Sequence, residues 1–255
     1  MAKHRRVQRP QSRLQRPTTN PNYLLAKLPP DDYARVERSL AEVPLKVRQI
    51  LHHSGDPIDY VYFPGNGFCS ILTVLDDGHM VEVTTIGREG AVGVGALLGD
   101  MAGHSSSMVQ APTDLCYRMS AAAYRAEMGR RGAFYEILTR YTQAMIGVVM
   151  LSTGCNAVHS VEQRLARWLL LARDRVGSDE FPLTQEFLAM MLGVSRPTVT
   201  VVAGTLQKAG LITYRHGVMT ILDGEALERA SCECYRRATE LLDGGPHHTL
   251  RRPSR

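Results

Sequence analysis

Residues 181–223 constrain the fold of this chain most, because their apolar positions fit two short helices joined by a tight turn. Ala189 is small enough for the second helix to approach closely, and Gly193 can adopt the positive φ that such a turn requires. Ser195 then occupies an N-cap position, and the missing N–H of Pro197 costs nothing in a first helical turn. The apolar positions are Leu188, Leu192, Val194, Val199 and Val202.

This pattern predicts a helix-turn-helix whose second helix spans Arg196–Lys208. Two short β-rich runs, 211–214 and 218–221, flank Arg215-His216-Gly217 and predict a hairpin. A helix-turn-helix followed by such a wing is typical of a DNA-reading unit. The alternative is a pair of core helices and a hairpin in an unrelated domain.

Residues 45–120 contain short apolar or alternating runs broken by Gly, Pro and Asp, which predicts a compact antiparallel β-domain. The clearest hairpin is 70–86, with its turn at 76–79. Glycines are dense over 87–99, but no strand–helix unit follows them, so packing explains them better than a dinucleotide site.

The chain becomes helical after residue 117, and one apolar seam there has a period of 3.5 residues. A helix over 131–158 is predicted to use this seam for contact between two subunits, and the alternative is that it covers the chain's own β-domain. The seam consists of Phe134, Leu138, Tyr141, Met145, Val148, Ser152 and Cys155.

Two further helices are predicted around the helix-turn-helix. Ser160 and Gln163 form a capping box that opens a helix over 161–176. A last helix is expected over 224–242, where Gly244-Gly245-Pro246 ends it. The core-facing residues of the first are Leu165, Trp168, Leu169 and Ala172.

The net charge of +5 is carried by the ends of the chain. Nine arginines and lysines lie in 1–20 and 247–255 without an acid, so residues 21–246 carry −4. Overall basicity is therefore weak evidence for DNA binding, although the ends could attract phosphate. The predicted α+β organisation is a disordered basic tail at 1–20, a β-domain at 21–130, the long helix at 131–158, a winged helix-turn-helix at 159–245 and a disordered tail at 246–255.

The apolar runs and the cysteines of the chain indicate where in the cell it is expected. The longest apolar run, 144–151, is far short of the roughly 20 residues that span a bilayer, and the basic N-terminus lacks a hydrophobic signal segment. Five scattered cysteines suit reduced thiols better than a disulfide framework. We therefore expect a cytoplasmic protein without membrane contact.

Three segments, GDPIDYVYFPGNG, IGREGAVGVGALLGD and LTQEFLAMMLGVSRPTVTVVAGTLQKAGLI, resemble the Crp–Fnr superfamily of bacterial transcription factors over about residues 40–223. The resemblance implies a cyclic-nucleotide-binding-like β-roll sensor, a long dimerisation helix and a winged helix-turn-helix. It also implies a symmetric homodimer whose sensor controls the orientation of the DNA-binding domain.

The ligand residues of the family are not all present. The glutamate that holds the ribose in cyclic-AMP-binding members falls near Val94, and the Arg-Ser pair that holds the phosphate falls near His104-Ser105. A mostly neutral histidine cannot replace the bidentate guanidinium, so we expect no tight cyclic-AMP binding. Arg88 and Glu89 could form a substitute site, but exposed turn charges are the preferred interpretation.

No cofactor or metal is predicted. The oxygen-sensing branch of the family needs an N-terminal cysteine cluster, whereas the first cysteine here is Cys69, in a predicted strand. The spacing of Cys232 and Cys234 on a helix would point them to different faces. His52-His53 and His247-His248 are interpreted as surface residues.

The resemblance places the DNA contacts at the start of the second helix. Arg196 matches the family's base-contacting arginine, which pairs with guanine O6 and N7. Pro197 replaces a glutamate and Val201 replaces a second arginine, so the target sequence should differ. Thr198, Thr200 and Val201 suit phosphate and thymine methyl contacts. The predicted phosphate contacts are Thr184, Gln185, Ser195, Arg215 and His216.

These observations predict a homodimeric DNA-binding regulator, with double-stranded DNA and RNA polymerase as partners and an unknown small-molecule effector. The principal rival is a ligand-binding sensor module that acts through protein contacts, whose binding would be insensitive to salt. An enzyme is the poorest alternative, because no G-x-S-x-G, H-E-x-x-H or P-loop pattern is present.

Overall fold

The computed structural model describes residues 20–78, 80–97 and 105–243. It confirms the predicted α+β fold, with a β-domain, a long helix and a C-terminal helix-turn-helix with a wing. Apart from Asn20, the predicted tails lie outside the described residues, as do His79, His104, His247 and His248.

Two antiparallel sheets form the N-terminal domain. Their strands are β1 (Leu40–Leu45), β2 (Ile50–His52), β3 (Tyr60–Pro64), β4 (Phe68–Val74), β5 (Met80–Ile86), β6 (Ser106–Ala111) and β7 (Thr113–Ser120). The strand orders in the two sheets are β1-β7-β3 and β2-β6-β4-β5. The predicted hairpin is confirmed, since β4 pairs with β5 and Ser70 lies opposite Thr85. Tyr62 of one sheet and Cys69 and Val109 of the other share one buried cluster, so the two sheets enclose a common core.

The C-terminal domain packs its helices and a small three-stranded sheet of order β8-β10-β9 around a second core. Ser160 forms the predicted capping box with Gln163, and Gly177 ends the same helix in the left-handed conformation. Helix α1 (Pro30–Glu37) precedes β1. The elements after β7 are α2 (Ala121–Gly129), α3 (Ala133–Val158), α4 (Val161–Val176), β8 (Glu180–Pro182), α5 (Gln185–Leu192), α6 (Arg196–Lys208), β9 (Ile212–Arg215), β10 (Val218–Ile221), α7 (Gly224–Ala230) and α8 (Cys234–Asp243).

The long helix α3 lies against its own chain, which contradicts the predicted dimer seam. Phe134 packs edge-to-face on Tyr124, with ring centroids 5.8 Å apart, and the Tyr141 hydroxyl donates to the Ala91 carbonyl at 3.2 Å. A period of 3.5 residues identifies a face that is buried, but it does not identify what buries it. The seam residues are buried (Phe134, Leu138, Tyr141, Val148, Cys155) or half-buried (Met145, Ser152) within one chain.

The opposite side of α3 is open and partly apolar. Ile146 and Met150 keep 53% and 69% of their surface exposed, although both are large apolar residues. They belong to a stripe whose members are three and four residues apart, which places them on one side of a helix. This stripe, called the open face of α3 below, consists of Thr139, Gln143, Ile146, Met150, Thr153 and Ala157.

Helix α4 joins the two domains through an apolar contact. Trp168 packs edge-to-face on Phe68 of β4 at 6.0 Å and on Phe187 of α5 at 5.8 Å. Its indole N–H donates to the Glu82 carboxylate at 2.9 Å, and the Ser70 hydroxyl donates to the other carboxylate oxygen. The core of the C-terminal domain is therefore continuous with the β4–β5 hairpin.

A buried ion pair forms the second junction, and it corrects the prediction that Arg88 and Glu89 are exposed turn charges. Glu89 is 5% exposed and accepts from Arg175 of α4 at 2.8 Å. Arg88 donates to the Asp174 carbonyl at 3.2 Å. A Cβ at Gly87 would lie 2.7 Å from the Arg175 side chain, so the glycine-rich turn is needed for packing, as predicted.

The predicted last helix 224–242 is broken in two. Helix α7 ends at Ala230, and α8 begins at Cys234. Helix α8 then returns along α3, where Leu241 faces Gly147. Within the described ranges no single helix is long and apolar enough to cross a membrane, although α5 and α6, bent by 100°, reach such a length and composition together.

Candidate nucleic-acid interface

The helix-turn-helix is built as its sequence predicts. The Thr184 hydroxyl caps α5 by accepting from the Phe187 N–H at 3.2 Å. Gly193 ends α5 with φ of 61°, a conformation that costs a residue with a side chain about 1 kcal/mol or more. Ser195 begins α6 by accepting from the Thr198 N–H at 3.4 Å, and Pro197 lies in the first turn. The turn is therefore fixed by local chemistry.

Helix α6 has one buried and one exposed side. Val199, Ala203 and Leu206 are buried in the core of the C-terminal domain. The exposed side presents Arg196, Thr200 and Val201, and Val201 keeps 70% of its surface accessible. Arg196, Thr200 and Val201 are thus accessible on a helix whose other side is anchored in the domain core.

Arg196 is held by an acid that sequence reasoning did not single out. Its guanidinium lies 2.7 Å from the Glu186 carboxylate of α5, and both side chains are 61% exposed. An ion pair this exposed contributes only about 0.2–1 kcal/mol, so it can orient the guanidinium without preventing its exchange to another acceptor.

Several hydroxyl side chains lie around the start of α6. Thr200 donates to the Arg196 carbonyl at 3.1 Å and lies 3.4 Å from the Gln185 side-chain oxygen. Ser195 and Thr198 place their hydroxyl oxygens 2.9 Å apart. These groups and Thr184 lie at the N-terminal ends of α5 and α6, where the helix dipole favours an anion.

The wing turns at His216 and Gly217, whose φ values of 52° and 78° are those of a two-residue hairpin loop. Arg215 and His216 are exposed at its tip. The Gln207 side chain accepts from the Tyr214 N–H at 3.0 Å and fastens the wing to the end of α6. Wing and helix therefore present cationic and polar groups from one rigid unit.

The structure shows the surroundings of one of the two positions that hold a cyclic nucleotide elsewhere in the family. Val94 occupies the position of the ribose-binding glutamate and packs against the apolar cluster of α2 and α3. Glu89, in the same glycine-rich segment, forms a buried ion pair with Arg175 through one carboxylate oxygen. His104, at the position of the phosphate-binding arginine, lies outside the described residues.

A cluster of sulfur and nitrogen ligands lies at the junction of α3, α7 and α8. Cys155, His159, Cys232 and Cys234 bring their ligand atoms within 4.8 Å of one another. The prediction that Cys232 and Cys234 diverge is wrong, because Cys232 precedes α8 and is not helical. The contact with Cys155 lowers the pKa of Cys232, and the nearby Arg167 guanidinium acts in the same direction.

Sequence reasoning missed the partners that come from distant parts of the chain. Glu82 and Arg175 meet residues 86 positions away, and Cys155 meets Cys232 across 77 positions. For the sulfur and nitrogen cluster, the only local signal in the sequence was that Cys and His recur at the end of α3 and at the start of α8. Glu186 could have been found, because it lies ten residues before Arg196 in the same two-helix unit.

Two family models match this chain. One, described as a Crp-like helix-turn-helix domain, matches residues 163–230, and the other, described as a cyclic nucleotide-binding domain, matches residues 42–130. Together they span more than half of the 255 residues. A search of curated proteins finds no match.

Solved structures share the fold at low identity. A putative Crp/Fnr-family regulator from Eubacterium rectale is 19% identical, with a TM-score of 0.64 over 81% of this chain and 98% of that one. A CRP-family regulator from Thermus thermophilus is 19% identical, with a TM-score of 0.63 over 74% and 96%. The c-di-GMP-responsive regulator CLP of Xanthomonas campestris is 16% identical, with a TM-score of 0.62 over 76% and 99%.

The order of domains agrees with both models. A β-domain precedes α3, and a helix-turn-helix with an exposed second helix follows it. The chain therefore belongs to the Crp–Fnr superfamily as a DNA-binding transcription regulator.

Proposed function

We propose that the chain is a sequence-specific regulator that binds double-stranded DNA as a symmetric homodimer, with α6 of each subunit in the major groove. The observation that carries this proposal is the two-sided character of α6. Its apolar side is anchored on the domain core, and its other side exposes a guanidinium, hydroxyls and a valine. The major groove of B-DNA admits one α-helix with such a surface.

Arg196 is the residue that we expect to read a base directly. The guanidinium matches guanine O6 and N7, and a good bidentate pair contributes about 1–3 kcal/mol of discrimination. Val201, five residues further along α6, offers methyl groups to a thymine methyl. Pro197 has neither donor nor acceptor in its side chain, so it reads no base by hydrogen bonding.

The remaining contacts position the domain on the duplex. Exposed hydroxyl and amide groups lie at the ends of α5 and α6, and phosphate oxygens accept from such donors. They fix orientation without reading sequence. The proposed phosphate contacts are Thr184, Gln185, Ser195, Thr198, Thr200, Arg215 and His216.

The homodimer is proposed to form through the open face of α3. Ile146 and Met150 lie in its middle, and a second copy of this face would remove both from water. Spacings of three and four residues allow two such helices to pack side by side. The two copies of α6 would then meet half-sites about one helical turn apart, near 34 Å.

The β-domain is proposed to sense a signal other than cyclic AMP and to act on α6 through α4. The route is short, because Glu82 and Glu89 of the β-domain both contact α4 directly. A regulator bound at a promoter would lie close to RNA polymerase, which is the further partner implied by the family.

Replacement of Arg196 by alanine tests the proposed base contact. We expect R196A to lose about 1–3 kcal/mol of affinity for the preferred sequence, with relaxed choice at one base pair per half-site, in anisotropy titrations at fixed salt. Arg236→Ala is the matched control, because Arg236 is an exposed arginine of α8 paired with an acid. Equal affinity of R196A and the unmodified protein for every sequence would refute the contact.

Charge placed on the open face of α3 tests the dimer. Ile146→Lys with Met150→Lys should give a monomer in light scattering, because two like charges would meet across the interface. Val74→Lys introduces the same change at an exposed apolar residue of β4 and should leave the mass unchanged. A dimer that survives both open-face substitutions would require another interface.

A further inference from the structure

The junction of α3, α7 and α8 contains four residues that are common ligands of zinc. Cys155 and His159 lie on the last turn of α3 and just beyond it, and Cys232 and Cys234 flank the start of α8. The three cysteines are buried and His159 is half-buried. Four side chains of this kind, brought together from two parts of the chain 73 or more positions apart, form a cluster that α-helical spacing alone would not create.

The distances match a tetrahedron around one ion. With metal–sulfur bonds of about 2.3 Å, two tetrahedral thiolate ligands lie about 3.8 Å apart. The sulfurs of Cys155 and Cys232 are 3.5 Å apart, and the Cys234 sulfur is 3.7 Å from His159 Nδ1. No pair of ligand atoms in the cluster exceeds 4.8 Å. An iron–sulfur cluster, which inserts several atoms between its thiolates, needs a wider arrangement.

The donor set selects the class of ion. Three sulfurs and one imidazole suit a borderline-soft ion that accepts tetrahedral geometry, whereas Mg²⁺ and Ca²⁺ require oxygen ligands. Four protein ligands complete the coordination of Zn²⁺ and leave no position for water. Such a closed arrangement is typical of structural sites.

A neighbouring carboxylate supports histidine as a ligand through Nδ1. Glu233, between the two cysteines in sequence, lies 3.2 Å from His159 Nε2. An acceptor on one ring nitrogen fixes the proton there and leaves the other nitrogen free for a metal, which is the usual arrangement around metal-bound histidines. Arg167 lies close enough to offset the negative charge of three thiolates.

We propose that Cys155, His159, Cys232 and Cys234 bind one Zn²⁺ that fastens the α7–α8 junction to the end of α3. His159 is the non-helical residue at which α3 ends, directly before the cap of α4. The ion would therefore hold the hinge between the long helix and the DNA-reading domain. Its consequence is that the orientation of α6 relative to the open face of α3 depends on bound zinc.

Metal analysis of the full-length protein purified with zinc present tests the site. We expect about one zinc per chain by mass spectrometry of the elements, and Co²⁺ in its place should give the intense visible absorption of a tetrahedral thiolate complex. Cys232→Ser should lose both signals. Cys69→Ser and Cys116→Ser are matched controls, because both are buried free cysteines of the β-domain, and each should retain one zinc.

Two further variants separate ligand loss from misfolding. Glu233→Ala keeps all four ligands, and it should weaken zinc binding about 10–100-fold with an unchanged circular dichroism spectrum. His159→Cys exchanges one ligand for another. It should still bind one Co²⁺ per chain, with stronger sulfur-to-metal absorption than the unmodified protein. Fewer than about 0.1 zinc per chain in the zinc-supplied protein would overturn the proposal. So would a zinc content that Cys232→Ser does not change, or a Cys155–Cys232 disulfide or iron–sulfur spectrum in its place.

Discussion

Glu82 should make the stability of this protein depend on pH, because it is a buried carboxyl at the contact between β5 and α4. Burial raises the pKa of Glu82 from 4.5 to about 7, and hydrogen bonds from Ser70 and Trp168 offset only part of that effect. Glu82→Gln keeps the shape and an acceptor for the indole N–H, but it cannot ionise. The substitution therefore separates the effect of ionisation at Glu82 from the effect of its shape and hydrogen bonds.

The direction in which stability changes with pH follows from the raised pKa of Glu82. The folded protein binds this proton more tightly than the unfolded chain, so the contribution of Glu82 is complete below about pH 4.5 and is lost as the pH rises through about 7. One pKa unit corresponds to about 1.4 kcal/mol, so the change in the free energy of unfolding across this range is at most about 3.5 kcal/mol. Glu82→Gln should remove that pH dependence.

Urea unfolding at pH values from 5 to 8 measures this effect, with fluorescence of the single tryptophan, Trp168, as the probe. Burial lowers the pKa of His52 and changes stability in the opposite direction, so the relevant quantity is the difference between the two proteins. Glu136→Gln, at an exposed acid of α3, should leave the curve unchanged. Parallel curves for Glu82→Gln and the unmodified protein would refute the role of Glu82.

Two other substitutions test the contacts of α4. Arg175→Met leaves Glu89 buried without its partner and should lower the free energy of unfolding by about 3–5 kcal/mol, whereas Arg175→Met with Glu89→Leu should recover much of that loss in the same urea experiment. Ser160→Ala removes the capping box of α4 and should cost about 1 kcal/mol, seen as a lower urea midpoint with an unchanged slope; no change in midpoint would contradict the cap.

The local parts of the fold were predictable because short-range chemistry determines them. The bounds of α4 and α6 follow from Ser160, Gly177 and Ser195, whose capping roles need only neighbouring residues. The hairpin β4–β5 follows in the same way from its turn and alternation.

The parts that failed depend on residues far apart in sequence. The seam of α3 was visible, but the identity of its partner was not, because Tyr141 contacts Ala91 across 50 positions. From its neighbours in sequence, Glu89 is expected to be an exposed turn charge. Only the fold shows that Arg175, 86 positions away, pairs with it. The two cysteines near residue 233 diverge on a continuous helix and converge only because that helix is broken.

Selection of bound oligonucleotides from a random pool by the full-length protein tests the central proposal most directly. The account predicts an inverted repeat with a G·C pair in each half-site, and half-site centres about 10–10.5 base pairs apart, because two copies of α6 carry one Arg196 each. Failure to enrich any sequence, or enrichment of a single asymmetric site, would contradict a homodimer that reads DNA through α6.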